Sequence, residues 1–138
     1  MQIRPYQSSD RAAVIALWEA CGLTRPWNDP GSDIDTCVSK PESTILIGKD
    51  GGKVVGSVMV GHDGHRAWLY YLAVSPVLQK GGLGRKLVAA AEDWVKARGI
   101  PKVMLMVRPE NDKVRAFYEA IGYIEEPRVI FSRRFDGQ

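Results

Sequence analysis

The sequence predicts an α/β (α+β) fold with a mixed central sheet of about seven strands. Three observations support this fold class. Short β-type runs alternate with segments of helical period, and three of those runs are separated only by tight turns, which predicts an antiparallel meander. Residues 103–107 form an unbroken apolar run after a helix. Such a run predicts a strand parallel to the one that precedes that helix.

The N-terminal part of the chain predicts one strand and two helices. Residues 2–6 are a short β-type run, and the Ser-Ser-Asp of residues 8–10 supplies an N-cap for the first helix. Gly22 follows that helix in the position of a helix-ending glycine. A weaker apolar stripe predicts a second, short helix over residues 32–39. The apolar face of the first helix consists of Val14, Leu17, Trp18 and Cys21.

The middle of the chain predicts the three strands of the meander. They cover residues 44–47, 53–61 and 68–74, which are rich in β-branched and aromatic side chains. Asp50-Gly51-Gly52 is a hairpin signal between the first two strands, and residues 62–65 supply the second turn. The third strand therefore leads directly into the glycine-rich segment that follows it.

The C-terminal half predicts two helices around the strand at residues 103–107. The first helix starts near Gly84, presents one apolar face and ends at Arg98-Gly99. The second is capped by Asn111 or Asp112 and ends at Gly122. Two final strands near residues 123–126 and 128–135 complete the predicted order.

Composition limits the classes of protein. The 138 residues are 45% hydrophobic with a net charge of +3, which predicts one domain over residues 1–138 and gives no argument for nucleic acid. No signal peptide or membrane span is evident, so we expect a cytoplasmic protein with reduced cysteines. The two histidines, His62 and His65, are too few for a metal site, and none is predicted.

A glycine-rich turn joins the third meander strand to the next helix. Gly82 and Gly84 let backbone N–H groups approach a ligand, the helix N-terminus favours an anion, and Lys80 and Arg85 add positive charge. The dinucleotide-binding fingerprint does not fit, because Leu87 stands where its third glycine is required. A Walker A motif does not fit either, since Leu87 stands in place of its Ser or Thr. The turn therefore predicts a phosphate site of another kind.

Two groups of residues together resemble the GNAT superfamily of acyl-CoA-dependent N-acyltransferases. The run Gln79-Lys80-Gly81-Gly82-Leu83-Gly84 is similar to the phosphate loop of that family. Asn111, followed by Ala116-Phe117-Tyr118 and Gly122-Tyr123, is similar to a second family element. The resemblance covers nearly the whole chain. Within the superfamily, residues 23–30 and Tyr70-Tyr71 look like the YpeA type of small bacterial proteins.

The resemblance implies a GNAT fold that binds acetyl-CoA as cosubstrate without a metal. The third meander strand and the strand at residues 103–107 would be parallel and splayed, and the gap would accept pantetheine. The backbone amide of Val74 would polarise the thioester carbonyl. The implied cofactor contacts are Leu72, Ala73, Val74, Gln79, Lys80, Gly81, Gly82, Leu83, Gly84, Arg85, Asn111 and Tyr118.

The implied general acid is Tyr118, which would lie near the departing sulfur; alternatively, its ring belongs to the core. Many family members carry a glutamate on the third meander strand, where this chain has Tyr70 and Tyr71. The general base is therefore not identified. Asp29, Asp33 or Asp35 could attract a cationic amine, or these side chains could simply cap turns and helices. The predicted acceptor-binding residues are Trp27, Asp29, Tyr70 and Tyr71.

Two functions agree with these residues. The first is transfer of the acetyl group of acetyl-CoA to a primary amine, on a small molecule or a peptide, by direct attack in a ternary complex. The alternative is a non-catalytic acyl-CoA sensor or interaction module, which the missing acidic residue favours. Neither function involves nucleic acid or a membrane, and pairing of the C-terminal strands in a homodimer is a further expectation.

Overall fold

The computed structural model describes residues 1–137. The chain divides into two compact units, Met1–Leu105 and a second unit that begins at Met106. We describe each unit by itself. The single domain expected over residues 1–138 remains a prediction.

The first unit contains five strands and three α-helices. The strands are β1 (Gln2–Pro5), β2 (Ser43–Asp50), β3 (Lys53–His62), β4 (Ala67–Val74) and β5 (Val103–Met104). The helices are α1 (Arg11–Ala20), α2 (Pro30–Val38) and α3 (Leu83–Ala97). Short 3-10 turns at Ser8–Asp10 and Pro76–Leu78 precede α1 and α3.

The strands form one mixed sheet in the order β1-β2-β3-β4-β5. Neighbouring strands from β1 to β4 are antiparallel, and β4 pairs with β5 in parallel. The predicted meander and the predicted parallel pair are both confirmed. Gly51 and Gly52 adopt positive φ in the β2–β3 turn, as a tight hairpin requires.

The parallel pair is much shorter than the sequence predicted. Only Val103 and Met104 pair with β4, opposite Ala67 and Trp68. Residues 69–74 of β4 extend beyond this contact, and no described strand of the first unit pairs with them on that side. Within the first unit, β5 therefore leaves the backbone groups of this part of β4 without a partner strand.

Helices cover both faces of the sheet of the first unit. On one face, α1 and α2 pack on β2 and on Ala73 of β4, and this core contains Val14, Leu17, Trp18, Ile34, Cys37, Ile45 and Ile47. On the other face, α3 buries Leu83, Leu87, Val88, Ala91 and Val95.

Two glycines of the sheet allow α3 to lie close to it. A Cβ atom at Gly56 would lie 2.8 Å from Leu87 Cδ1 and 3.0 Å from Leu83 Cδ2, and one at Gly48 would lie 3.2 Å from Leu83 Cδ1. The first turns of α3 therefore occupy space that side chains on β2 and β3 would fill. This close contact fixes the position of the segment that leads into α3.

The second unit is organised around α4 (Asp112–Ala120). The Asn111 side chain accepts a hydrogen bond from the Val114 N–H at 3.3 Å, which caps the helix as predicted. Gly122, with φ of 98°, follows the helix end.

The two predicted C-terminal strands are absent, and that prediction is wrong for the described residues. Residues 123–137 form no strand, so the sheet has five strands rather than about seven. The sequence is of β type, but a strand needs a neighbour that accepts its backbone hydrogen bonds. The described residues of the second unit contain no such neighbour.

A buried hydroxyl group connects α1 to the sheet. Trp18 Nε1 donates a hydrogen bond to Ser57 Oγ at 2.8 Å, and Ser57 Oγ donates to the Tyr71 carbonyl at 2.9 Å. Ser57 is completely buried. One hydroxyl therefore satisfies a side-chain donor from α1 and a backbone acceptor from β4.

We expect Ser57→Ala to lower the free energy of unfolding by about 1–3 kcal/mol, because it leaves the Trp18 N–H and the Tyr71 carbonyl buried without a partner. Urea denaturation would measure the difference. Ser39→Ala is the matched control, since Ser39 is exposed and its hydroxyl makes one hydrogen bond at a helix end. Equal effects of the two substitutions would contradict the role given to Ser57.

Candidate active site

A β-bulge interrupts β4 beyond the residues that pair with β5. The pairing of β3 with β4 shifts between Ser57 and Met59, so that one residue of β3 faces both Tyr71 and Leu72. Tyr71 takes a φ of 51°, in the left-handed region that costs a residue with a side chain about 1–2 kcal/mol. The bulge therefore persists only because other contacts stabilise it.

The side chain of Tyr71 makes those contacts. Its ring stacks on Trp18 with the centroids 3.7 Å apart and the planes 8° from parallel. Its hydroxyl donates a hydrogen bond of 2.6 Å to Asp33 Oδ2. Burial raises the pKa of Tyr71, and the hydrogen bond to the Asp33 carboxylate raises the pKa further. Tyr71 thus stays a neutral donor that joins β4 to α2.

The end of β4 directs some of its backbone groups away from β3. The N–H of Ser75 donates to the Val55 carbonyl of β3 at 2.8 Å. Because successive N–H groups of a strand point to opposite sides, the Val74 N–H points away from β3, to the edge where β5 no longer pairs.

The Val74 carbonyl is held by two side chains. It accepts hydrogen bonds from Cys21 Sγ at 3.3 Å and from Gln79 Nε2 at 3.1 Å. Burial raises the pKa of the Cys21 thiol, which keeps it protonated as a donor. These two bonds orient the peptide unit between Val74 and Ser75.

The segment that enters α3 presents backbone N–H groups outwards. Gly82 is the N-cap of α3 with φ of 85°, makes no side-chain capping bond, and no acidic residue occupies the first helical turn. Lys86 N–H donates to the Gly82 carbonyl at 3.2 Å. The N–H groups of residues 83–85 precede this bond and have no acceptor within the helix.

The charge beside these N–H groups is positive. Lys80 and Arg85 are both exposed, and Lys80 has φ of 73°, which turns successive N–H groups of the segment to one side. Together with the helix dipole, this arrangement suits an anionic group such as a phosphate.

Tyr118 lies in the second unit and is buried. Its ring meets Phe117 and Tyr123 edge-on, with centroid separations of 5.0 Å and 5.4 Å. Burial raises the pKa of Tyr118 to about 12. These ring contacts agree with the alternative reading of the sequence, in which Tyr118 packs with Phe117 as a core aromatic. A role of Tyr118 in catalysis stays a prediction.

The three aspartates of the α2 region have different partners. Asp29 is the N-cap of α2 and accepts from the Gly31 N–H at 3.0 Å and from Ser32 Oγ at 3.1 Å. These bonds lower the pKa of Asp29. Asp35 forms an exposed ion pair with Arg11 at 3.2 Å. Asp33 is half-buried, and Tyr71 of the bulge donates to its carboxylate.

The other predicted acceptor-binding residues are accessible. Trp27, in the loop between α1 and α2, is 44% exposed, and Tyr70 of β4 is 45% exposed. The structure thus leaves both side chains open to solvent, while Tyr71 next to Tyr70 is tied to Trp18 and Asp33. Binding of an acceptor by Trp27, Asp29, Tyr70 and Tyr71 stays a prediction.

The sequence matches the model of the acetyltransferase (GNAT) family over residues 10–123. The chain belongs to this family of acetyltransferases. An acetyltransferase of Yersinia enterocolitica is 42% identical over 134 residues, which cover 97% of this chain and 95% of the relative. An acetyltransferase of Pectobacterium atrosepticum is 45% identical over 123 residues, covering 89% and 87%. The predicted family and its small bacterial type are confirmed.

Solved structures confirm the fold of the acetyltransferase. AAC(6')-Iy in complex with the bisubstrate analog CoA-S-monomethyl-acetylneamine superposes with a TM-score of 0.84 at 20% identity, covering 96% of this chain and 97% of the other. The apo aminoglycoside 6'-N-acetyltransferase AAC(6')-IG of Acinetobacter haemolyticus gives 0.80 at 17% identity, covering 99% and 100%. At 20% and 17% sequence identity, these superpositions show that the folds are similar.

Sequence reasoning missed the residues that support the bulge of this acetyltransferase. The sequence predicts a strand that contains Ser57 and an apolar helix face that contains Trp18 and Cys21, but it predicts no bond between these side chains and the rest of the sheet. Ser57 and Cys21 bond to residues of β4 far away in the sequence, and Trp18 bonds to Ser57 of β3 and stacks on Tyr71 of β4. No local pattern signals such bonds. The one available signal was Ser57 itself, a polar residue in an otherwise apolar strand.

Neither a metal site nor a membrane span is found among residues 1–137 of the acetyltransferase. No group of three or more His, Cys, Asp or Glu side chains in this range could hold a metal ion. The helices there are too short or too polar to cross a bilayer.

We expect Gly82→Ala to weaken binding of coenzyme A to the acetyltransferase about tenfold. A side chain at φ of 85° is strained by about 1–2 kcal/mol, and relaxing that strain turns the N–H groups of the first helical turn away from the ligand. Isothermal titration calorimetry would measure the affinity.

Gly64→Ala is the matched control for this substitution. Gly64 has φ of 88°, and the space around its missing Cβ is open, as it is at Gly82. Both variants should lose similar stability, but only Gly82→Ala should lose affinity for coenzyme A. A parallel loss of affinity in both variants would show that strain alone, and not the position of the N–H groups, is responsible.

Proposed function

We propose that this acetyltransferase transfers the acetyl group of acetyl-CoA to a primary amine by direct attack in a ternary complex. One observation carries the proposal: the uncapped N-terminus of α3 follows, after a short turn, on a bulged strand end with which no described strand of the first unit pairs on the outer side. An anion site and an exposed strand edge in that order fit a donor with a pyrophosphate at one end and an extended amide chain next to it.

The donor is held by backbone groups in this proposal. The N–H groups around Gly82 and Gly84 bind the pyrophosphate, with Lys80 and Arg85 adding charge. Pantetheine lies along residues 69–74 of β4, and the Val74 N–H, which points to that edge, stabilises the oxyanion formed from the thioester carbonyl. The complex of AAC(6')-Iy with a CoA-containing analog, on a similar fold, supports coenzyme A as the carrier of the acetyl group.

Tyr118 stabilises the departing thiolate in this proposal. With a pKa of about 12, complete proton transfer from Tyr118 to a thiolate whose conjugate acid has a pKa of about 8.5 would be uphill by ~5 kcal/mol. A hydrogen bond from the neutral phenol needs no such transfer. We therefore propose that Tyr118 donates a hydrogen bond to the sulfur, a narrower role than general acid.

The acceptor amine is bound on the α2 side of β4 in this proposal. Asp33 is the aspartate of this region that contacts β4, whereas Asp29 caps a helix and Asp35 pairs with Arg11. A carboxylate is too weak a base to take a proton from an alkylammonium, because their ordinary pKa values differ by about six. Asp33 is therefore proposed to bind the ammonium only. The amine attacks in its neutral form, the small fraction that has already lost its proton to the bulk solution.

A steady-state assay tests the proposal. Release of free thiol from acetyl-CoA is followed with a panel of alkylamines, diamines, aminoglycosides and peptide α-amines, and mass spectrometry identifies the acetylated product. Turnover of at least one amine is the expected result. Tight binding of acetyl-CoA with no turnover across the panel would instead favour an acyl-CoA sensor, which the absence of an acidic residue at Tyr70 and Tyr71 also suits.

We expect Tyr118→Phe to lower kcat about 10- to 100-fold with little change in the affinity for acetyl-CoA, because a hydrogen bond to a charged atom is lost. Since the pKa of Tyr118 is about 12, its neutral form persists up to about pH 10. The wild-type rate should rise with pH as the amine loses its proton and should not fall again below about pH 10. Tyr6→Phe, which removes a phenol hydroxyl near α1, should leave kcat within about twofold.

We expect Asp33→Asn to raise the KM for cationic amines about tenfold, because the charge is lost while an acceptor for the Tyr71 hydroxyl remains. The KM for acetyl-CoA should not change. Asp35→Asn is the matched control, since it removes a nearby charge that already pairs with Arg11. An unchanged KM for every amine in Asp33→Asn would refute the proposed ammonium contact without affecting the donor site.

A further inference from the structure

Both polar backbone groups of Val74 point to the same side of β4. Val74 lies opposite Gly56 of β3, and the Ser75 N–H beside this pair donates to the Val55 carbonyl at 2.8 Å. A pair in this position of an antiparallel ladder exchanges no backbone hydrogen bonds with its partner. The N–H and the carbonyl of Val74 are therefore both directed away from β3.

This shared direction is unfavourable for a site that stabilises negative charge. An N–H group stabilises a developing oxyanion, whereas a carbonyl oxygen carries partial negative charge and opposes it. No described strand of the first unit binds the Val74 carbonyl on this side. A strand end that acts through the Val74 N–H thus needs other groups to bind the neighbouring carbonyl.

Two side chains supply those groups. Cys21 Sγ and Gln79 Nε2 donate to the Val74 carbonyl at 3.3 Å and 3.1 Å, one donor for each of its two lone pairs. Cys21 ends α1, and Gln79 follows the 3-10 turn that precedes α3, so the donors come from different elements. The N–H of the same peptide unit is that of Ser75, which bonds to β3. The unit is therefore held at both ends.

We propose that Cys21 and Gln79 are positioning residues for acetyl transfer, which hold the Val74 carbonyl so that the Val74 N–H acts on the thioester carbonyl. The inference rests on the oxyanion contact proposed above for Val74. Neither side chain touches the reacting atoms. The amide of Gln79 is a stronger donor than the thiol of Cys21, so its removal has the larger effect.

Infrared difference spectroscopy with bound acetyl-CoA tests the proposal without any acceptor. Acetyl-CoA carries an isotopic label at its carbonyl carbon, so that its stretching band is separated from those of the protein. Binding to the wild type should shift this band to lower frequency, because the Val74 N–H polarises the carbonyl. The shift should be smaller in Cys21→Ala and in Gln79→Met, and most of it should be lost in the double variant.

Steady-state kinetics with any amine that is turned over give a second readout. Gln79→Met should lower kcat about tenfold and Cys21→Ala about threefold, less than the loss of roughly 100-fold or more that follows removal of an oxyanion donor itself. The affinity for free coenzyme A should stay within about twofold of the wild type, since free coenzyme A has no acetyl carbonyl.

Two further variants separate positioning from stability. Cys21→Ser keeps a donor and should retain the infrared shift and kcat within about twofold. Cys37→Ala is the matched control, because Cys37 belongs to the core cluster against which Cys21 packs and is buried more deeply. This control should lower the thermal stability at least as much as Cys21→Ala and leave kcat and the infrared shift unchanged.

Three results would overturn the proposal. An infrared shift in the wild type that persists in the double variant would refute the positioning roles alone and leave the oxyanion contact intact. No shift in the wild type would refute the oxyanion contact itself, and the positioning roles with it. A loss of affinity for free coenzyme A in Gln79→Met that matches its loss of kcat would make Gln79 a contact of the carrier instead.

Discussion

The candidate active site depends on the bulge in β4. A flat, fully paired β4 would direct its backbone groups into hydrogen bonds with its neighbours. At the bulge, Tyr71 adopts a left-handed conformation whose cost is comparable to the net contribution of one or two hydrogen bonds. That cost is offset by the stacked Trp18 ring, the Ser57 hydroxyl and the Asp33 carboxylate, which come from three different elements. The same contacts that stabilise the core thus shape the strand end.

The position of the segment proposed to bind the pyrophosphate, residues 80–85, depends on the close packing of α3 against the sheet. Gly48 and Gly56 leave room for Leu83 and Leu87, and this brings the start of α3 against the sheet directly beyond β4. A helix N-terminus attracts anions wherever it lies. The proposed role of this helix N-terminus depends on its position near the end of β4, which the missing side chains of Gly48 and Gly56 help to set.

The sequence predicted the features that depend on local chemistry. The meander followed from Asp50-Gly51-Gly52 and the alternating runs, and the helix ends from Gly22, Gly99 and Gly122, all of which have positive φ. The C-terminal strands were predicted from the same β-type composition, but a strand also requires a partner, and no local pattern supplies one. The support of the bulge by Trp18, Ser57 and Cys21 was missed for the same reason, because each bond joins positions far apart in the chain.

The hydrogen bond from Gln79 to the Val74 carbonyl connects the two halves of the donor site. It joins the segment proposed for the pyrophosphate to Val74, the residue whose N–H is proposed for the thioester carbonyl, so the protein itself limits the distance between these two points. In that proposal, the distance between the two points selects carriers by their length. A thioester on a shorter carrier, bound through its phosphates, would not reach the Val74 amide. A carrier without phosphates would not be anchored at the start of α3. Selectivity for the carrier is in this way separate from selectivity for the amine, and the two could change independently.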